Sequence, residues 1–146
     1  MDPKKVLVVE DDNGIRMAIQ SILERQGYQV SSAIDGEEAL KQVEDTRFDV
    51  VLLDIFLPKI TGDEFLRRVR EKKNLVPVVL MSAAMPEDQA LECFKQFKVV
   101  NYVSKPFRTK DLVEKVNKAA ATADNMTVVK VATDRLKGFI NRQAAL

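Results

Sequence analysis

Chemistry in this chain has few residue types to draw on. Among its 146 residues there is no histidine, and Cys93 is the single cysteine. Imidazole acid–base catalysis, histidine metal sites, an internal disulfide and thiolate zinc clusters are therefore excluded. What remains is a set of polar groups that each follow an apolar, β-prone run. Glu10, Asp11 and Asp12 follow Val6-Leu7-Val8-Val9, and Asp54 closes Val50-Val51-Leu52-Leu53. Ser82 follows Val78-Val79-Leu80-Met81, and Lys105 comes two residues after the run that ends at Val103. Carboxylates brought together repel one another, raise each other's pKa and invite a divalent cation. With only oxygen ligands on offer, Mg²⁺ suits the set better than zinc. A hydroxyl and an ammonium can both donate to phosphoryl oxygens. A carboxylate can act as a covalent nucleophile, so the set reads as acceptance of a phosphoryl group by Asp54. The cation and Lys105 would offset the charge that develops, and a histidine donor would have to belong to another protein.

These groups meet only if the runs are strands of one parallel sheet whose carboxyl ends share an edge, the edge at which open α/β sheets bind ligands. The pattern predicts that arrangement. A run apolar at every position, such as Val50–Leu53, suits a strand covered on both faces. The shorter, more polar Tyr28–Ala33 reads as an edge strand. Between the strands, apolar residues recur at helical spacing: Ile15, Ala18, Ile19, Ile22 and Leu23, with Gly27 as a stop; then Ala39, Leu40 and Val43, opened by Asp35 as a cap with Glu38 three residues on. Phe65, Leu66 and Val69 form a third set, capped by Thr61 or Asp63 and ended by Asn74. Ala90, Leu91, Phe94 and Phe97 follow Pro86, and Leu112, Val113, Val116 and Ala120 follow Thr109 as a cap. Five strands alternating with five helices predict a parallel sheet with helices on both faces.

Length and charge set the outer bounds. A chain of 146 residues is expected to form one domain, and a net charge of +1 gives no whole-chain signal for nucleic acid or membrane. No apolar run approaches the length needed to cross a bilayer, and the amino terminus lacks the flanks of a signal peptide, so a cytoplasmic location is expected. Lys and Arg outnumber Asp and Glu after Lys105, which reads as a solvated face rather than a nucleic-acid surface. Residues 122–146 leave the repeating pattern. They read either as a linker or as a short helix lined by Leu136, Phe139 and Ile140 that packs on the domain or on a second copy.

Four motifs in order resemble the receiver domain of two-component response regulators: Val8-Val9-Glu10-Asp11-Asp12 with Ile15-Arg16, Asp54 through Gly62, Met81-Ser82-Ala83, and Lys105-Pro106-Phe107. The resemblance covers residues 1 to about 121. It implies a flavodoxin-like fold with strand order 2-1-3-4-5 and a phosphoacceptor at Asp54, supplied by a sensor histidine kinase or histidine phosphotransfer protein. It further implies Mg²⁺ held by Asp11, by Glu10 largely through water, by Asp54 and by the carbonyl of Phe56, with Ser82 and Lys105 on the phosphoryl oxygens. Tyr102 falls at the family's aromatic switch position, paired with Ser82; its other reading is a half-exposed aromatic on an edge strand. Asp12 is read as a helix cap rather than a ligand. A cis bond before Pro106 is the family's way of aiming the lysine.

Downstream, the resemblance implies a protein target or an output domain, with dimerisation as a further outcome. The chain could also be the amino-terminal part of a larger DNA-binding or enzymatic regulator. A rival from another class is an Asp-nucleophile phosphatase, which commonly carries a second acid two residues on; that position here is Phe56. A flavin module of the same fold is disfavoured by the acids in the first loop. Phe56 and Ala84, both apolar, would flank the path of attacking water, which suggests a slowly hydrolysed aspartyl phosphate.

Overall fold

The computed structural model describes residues 2–83, 92 and 95–123. The expectations placed on Ala84, Pro86, Ala90, Leu91, Cys93, Phe94 and the chain after residue 123 lie outside the described residues.

In chain order the elements are β1 (Lys5–Val9), α1 (Asn13–Arg25), β2 (Gln29–Ala33), α2 (Gly36–Asp45), β3 (Val50–Asp54), α3 (Gly62–Glu71), β4 (Val78–Ser82), β5 (Asn101–Ser104) and α4 (Thr109–Ala123). The strands form one sheet in the order β2-β1-β3-β4-β5, and every pairing is parallel. This is the expected doubly covered sheet. Every residue of β3 and β4 is buried, as their continuous apolar runs require, and the half-polar β2 lies at an edge.

Strand alternation sorts the apolar residues into two cores. Leu7, Val9, Val51, Leu53, Val78 and Leu80 pack with Ala39, Phe65, Leu66 and Val69 of α2 and α3. Val6, Val8, Val50, Leu52, Val79 and Met81 pack on the other face with Ile19 and Leu23 of α1 and with Leu112, Val116 and Ala119 of α4. Each fully buried Val or Leu contributes about 1.5–3 kcal/mol relative to exposure, so the sheet is held from both sides.

Helix ends follow their local chemistry. Asp12 caps α1 by accepting from the Ile15 N–H at 2.9 Å, and Asp35 caps α2 by accepting from Glu38 at 2.8 Å. The Glu38 bond holds the Asp35 carboxyl below its usual range. Gly27, at φ 93°, closes α1: its N–H donates to the Glu24 carbonyl and that of Tyr28 to the Leu23 carbonyl. α3 closes in the same way with Lys73 in the left-handed position, its N–H on Arg70 and that of Asn74 on Val69. One boundary differs from the sequence reading. Thr109 is the first residue of α4 and not its cap, because the Leu112 N–H bonds to the Arg108 carbonyl one residue earlier. The helix runs on to Ala123.

Arg70 is a partly buried cation whose role the sequence did not suggest. Its guanidinium donates to the carbonyls of Phe97 at 2.7 Å, Asn74 at 2.9 Å and Val76 at 2.8 Å, tying α3 to the segments that enter β4 and β5. Burial pushes it down to about 10, still charged at neutral pH. Arg70→Met keeps the apolar stem and leaves those carbonyls without a donor, so urea unfolding is expected to register a loss of roughly 2–3 kcal/mol. A loss below about 1 kcal/mol, the worth of a single ordinary hydrogen bond, would contradict this role.

Candidate functional site

The register brings the predicted groups to the carboxyl edge. Val9 of β1 pairs with Leu53 of β3, so Glu10 leaves its strand beside Asp54. Asp54 pairs with Met81, and Ser82 with Ser104, so Lys105 follows directly beside Ser82, its N–H on the Ser82 carbonyl at 2.7 Å.

Lys105 is the centre of the charge pattern. Its ammonium donates to Glu10 Oε2 at 2.7 Å and to Asp54 Oδ2 at 2.9 Å. Both carboxylates are buried. Burial of the ammonium opposes its charge, yet the two carboxylates outweigh that and hold Lys105 above its usual value. Burial pushes the Glu10 carboxyl up to about 7, against the pull of Lys105 and with a further push from Asp54. The other Asp54 oxygen, Oδ1, accepts the Phe56 N–H at 3.0 Å, so the carboxylate is oriented from both sides. The Lys105–Pro106 peptide is cis.

Glu10, Asp11 and Asp54 each offer a carboxylate oxygen, and these oxygens all lie within 4.8 Å of one another. Asp11 is exposed while the other two are buried, so the cluster opens to water on one side. All-oxygen donors, excess negative charge and access for retained water fit a hard divalent cation. Asp12 has its side chain committed to the α1 cap, which agrees with its reading as a cap.

Ser82 is 1% exposed, and its hydroxyl finds no hydrogen-bond partner among the described residues. An unsatisfied buried hydroxyl usually costs stability and asks for a reason. Ser82→Ala is accordingly expected to leave urea stability unchanged or to raise it by up to about 1 kcal/mol. A loss larger than that would mean the hydroxyl is already bonded in the resting protein.

Tyr102 sits on β5 with its ring half-buried against the α2/α3 core. Its hydroxyl lies 2.6 Å from Ser104 Oγ, and the Lys115 ammonium is 5.7 Å from the ring centre. Phe56 is 60% exposed, with its side chain turned away from the core. Arg16 holds the Glu10 carbonyl at 3.0 Å. The sequence reading gave that arginine no role, although it lies one helical turn beyond the acids. A separate cavity of about 450 Å³, lined by Arg47, Phe48, Leu75 and Pro77 among others, lies at the opposite edge, where β3 and β4 begin. None of the site groups lines it.

No helix among the described residues is long and apolar enough to cross a membrane. The response regulator receiver domain family matches residues 6–117. The alkaline phosphatase synthesis transcriptional regulatory protein PhoP of Bacillus subtilis is 38% identical over 114 residues, which cover 77% of this chain and 47% of that protein. The transcriptional regulatory protein DltR of Streptococcus agalactiae is 35% identical over 112 residues, 77% of this chain and 50% of the relative. The chain thus spans about half the length of these relatives. Among solved structures, the Vibrio cholerae chemotaxis protein CheY4 aligns with a TM-score of 0.75 at 30% identity, covering 80% of this chain and 98% of that one. A CheY-like receiver domain protein from Methanospirillum hungatei gives 0.78 at 26% identity, covering 85% and 98%. The sheet order, the acidic cluster and the bridging lysine agree with what the matches say: this chain belongs to the response regulator receiver domain family.

Proposed function

We propose that Asp54 is the phosphoacceptor of a Mg²⁺-dependent signalling receiver, charged by a sensor histidine kinase or histidine phosphotransfer protein. The observation that carries the reading is the Lys105 ammonium bridging Asp54 and Glu10 beside a buried hydroxyl that lacks a partner among the described residues. One Asp54 oxygen attacks phosphorus, the bond to the donor's imidazole nitrogen breaks, and the leaving imidazole takes up a proton. Lys105 then follows the negative charge onto the phosphoryl oxygens, and Ser82 Oγ gains the acceptor it lacks. Glu10, Asp11, Asp54 and the Phe56 carbonyl would hold Mg²⁺, which when bound neutralises charge on the transferring group.

The output is a shift between two arrangements of the site loops. When Ser82 turns toward the phosphoryl group, the Tyr102 ring exchanges its hydroxyl contact with Ser104 for an inward position. That change alters the face formed by β5 and α4, and a protein target, an output domain or a second copy would read it.

The test is incubation with a small acyl-phosphate donor and Mg²⁺. A stoichiometric, Mg²⁺-dependent and base-labile adduct supports the reading. Turnover of many phosphoesters with no adduct would favour an Asp-nucleophile phosphatase, for which the Phe at position 56 offers no second acid. The exposed, apolar Phe56 beside Asp54 can neither orient nor activate water, so Phe56→Gln is expected to speed loss of the adduct about tenfold, less than the roughly 10²–10⁴ of a true proton-transfer group because an amide orients water without taking its proton. Timed mass measurements after donor removal check this, and an unchanged lifetime would count against it.

A further inference from the structure

The loop between β3 and α3 carries the Phe56 N–H that orients Asp54, and it is fastened to a helix that contributes no side chain to the site. Gly36 opens α2. A Cβ added there would lie 2.5 Å from the Ile60 carbonyl oxygen and 2.9 Å from Ile60 Cβ. A backbone oxygen cannot swing aside as the end of a flexible side chain can, so the loop itself would have to move. The same helix end grips the loop electrostatically: Lys59 Nζ lies 3.4 Å from Asp35 Oδ2 and 3.8 Å from Glu37 Oε2. Lys59 adopts φ 66°, a left-handed conformation that a residue other than glycine keeps only when its surroundings require it. At its far end the loop closes on β3. The Gly62 N–H donates to the Ile55 carbonyl at 3.0 Å, and a Cβ on Gly62 would lie 2.7 Å from Ile55 Cα. Five residues, Phe56 to Ile60, are thus suspended between two close backbone contacts.

We infer that Gly36, with the Lys59–Asp35 pair, is a positioning device for the phosphoacceptor, setting the loop so that the Phe56 N–H and carbonyl face Asp54 and the cation. The inference rests on the receiver reading and deepens it, because α2 enters the reaction without touching any reacting atom. A side chain at position 36 displaces the Ile60 carbonyl and tilts the loop. Asp54 Oδ1 then loses its fixed donor, and the Phe56 carbonyl, which would help hold the cation, shifts with the loop.

The test compares Gly36→Ala, Lys59→Met and Arg70→Met in the 146-residue chain. Mg²⁺ affinity is read by calorimetry, and the initial rate of adduct formation from acetyl phosphate is read at saturating Mg²⁺. Gly36→Ala is expected to weaken Mg²⁺ about tenfold, the usual size of an outer-shell loss, and to slow the rate by a similar factor. Lys59→Met removes an exposed contact whose loss the fold tolerates, and it weakens both by about two- to threefold. It carries the test if Gly36→Ala fails to fold. Arg70→Met, altered at the opposite edge, is destabilised yet keeps wild-type affinity and rate. Wild-type values in both loop variants would overturn the inference, as would an equal loss in Arg70→Met. A wild-type chain that gains no adduct overturns the receiver reading itself, and that failure is visible before any substitution is made.

Discussion

Lys105→Met slows phosphoryl uptake about a hundredfold, the typical cost of removing one preorganised donor from developing negative charge, while Mg²⁺ binds more tightly than to the wild type. The two effects have one cause. The ammonium lies 2.7 Å from Glu10 and 2.9 Å from Asp54, so in the resting protein it partly neutralises the carboxylates that a cation needs. Removing it leaves three carboxylates close together with no compensating charge, and a divalent ion then gains the full attraction. The transferring phosphoryl group, by contrast, loses a donor that nothing else replaces. The comparison belongs at pH 8.5, well above the value of about 7 to which burial pushes Glu10, so that a proton on Glu10 does not compete with the ion. Adduct formation followed by intact mass and Mg²⁺ titration by calorimetry read the two quantities independently. An unchanged rate would contradict the role given to Lys105. A parallel fall in rate and affinity would point instead to general loss of structure.

Asp54→Asn is expected to have the larger effect, because it removes the proposed nucleophile altogether. The amide keeps a carbonyl oxygen that can accept the Phe56 N–H, and Lys105 keeps Glu10 as a partner, so the fold is retained. Only the capacity to form the acyl phosphate disappears. Mg²⁺ affinity falls as well, since one of three clustered carboxylates has become neutral. Circular dichroism and urea unfolding close to wild type, together with complete loss of the adduct, are the expected pair of results.

The edge of the sheet was legible because strands buried on both faces are apolar at every position, so the first polar residue marks where each one emerges. That is how Glu10, Asp54 and Ser82 stand out. Asp12 was legible as a cap because capping is local, with donor and acceptor three residues apart. Contacts between elements distant in sequence were not legible. Nothing in the α3 sequence says that Arg70 turns inward to the carbonyls before β4 and β5, since an arginine at that spacing also suits a solvated face. The approach of Gly36 to Ile60 depends on how α2 and the β3–α3 loop pack, which no single-segment pattern encodes. The Ser82 hydroxyl was visible as a residue type, but its lack of a partner among the described residues depends on the three strands around it. The start of α4 was misplaced by one residue because Thr109 has the chemistry of a cap, while the Arg108 carbonyl makes the first helical bond.

Intact mass after incubation with acetyl phosphate and Mg²⁺, for wild type and Asp54→Asn side by side, tests the central claim most directly. One base-labile phosphoryl group per wild-type chain, lost on chelation of Mg²⁺ before donor addition and absent from Asp54→Asn, is the predicted result. An adduct of equal yield on Asp54→Asn, or none on folded wild type with Mg²⁺ present, would contradict it.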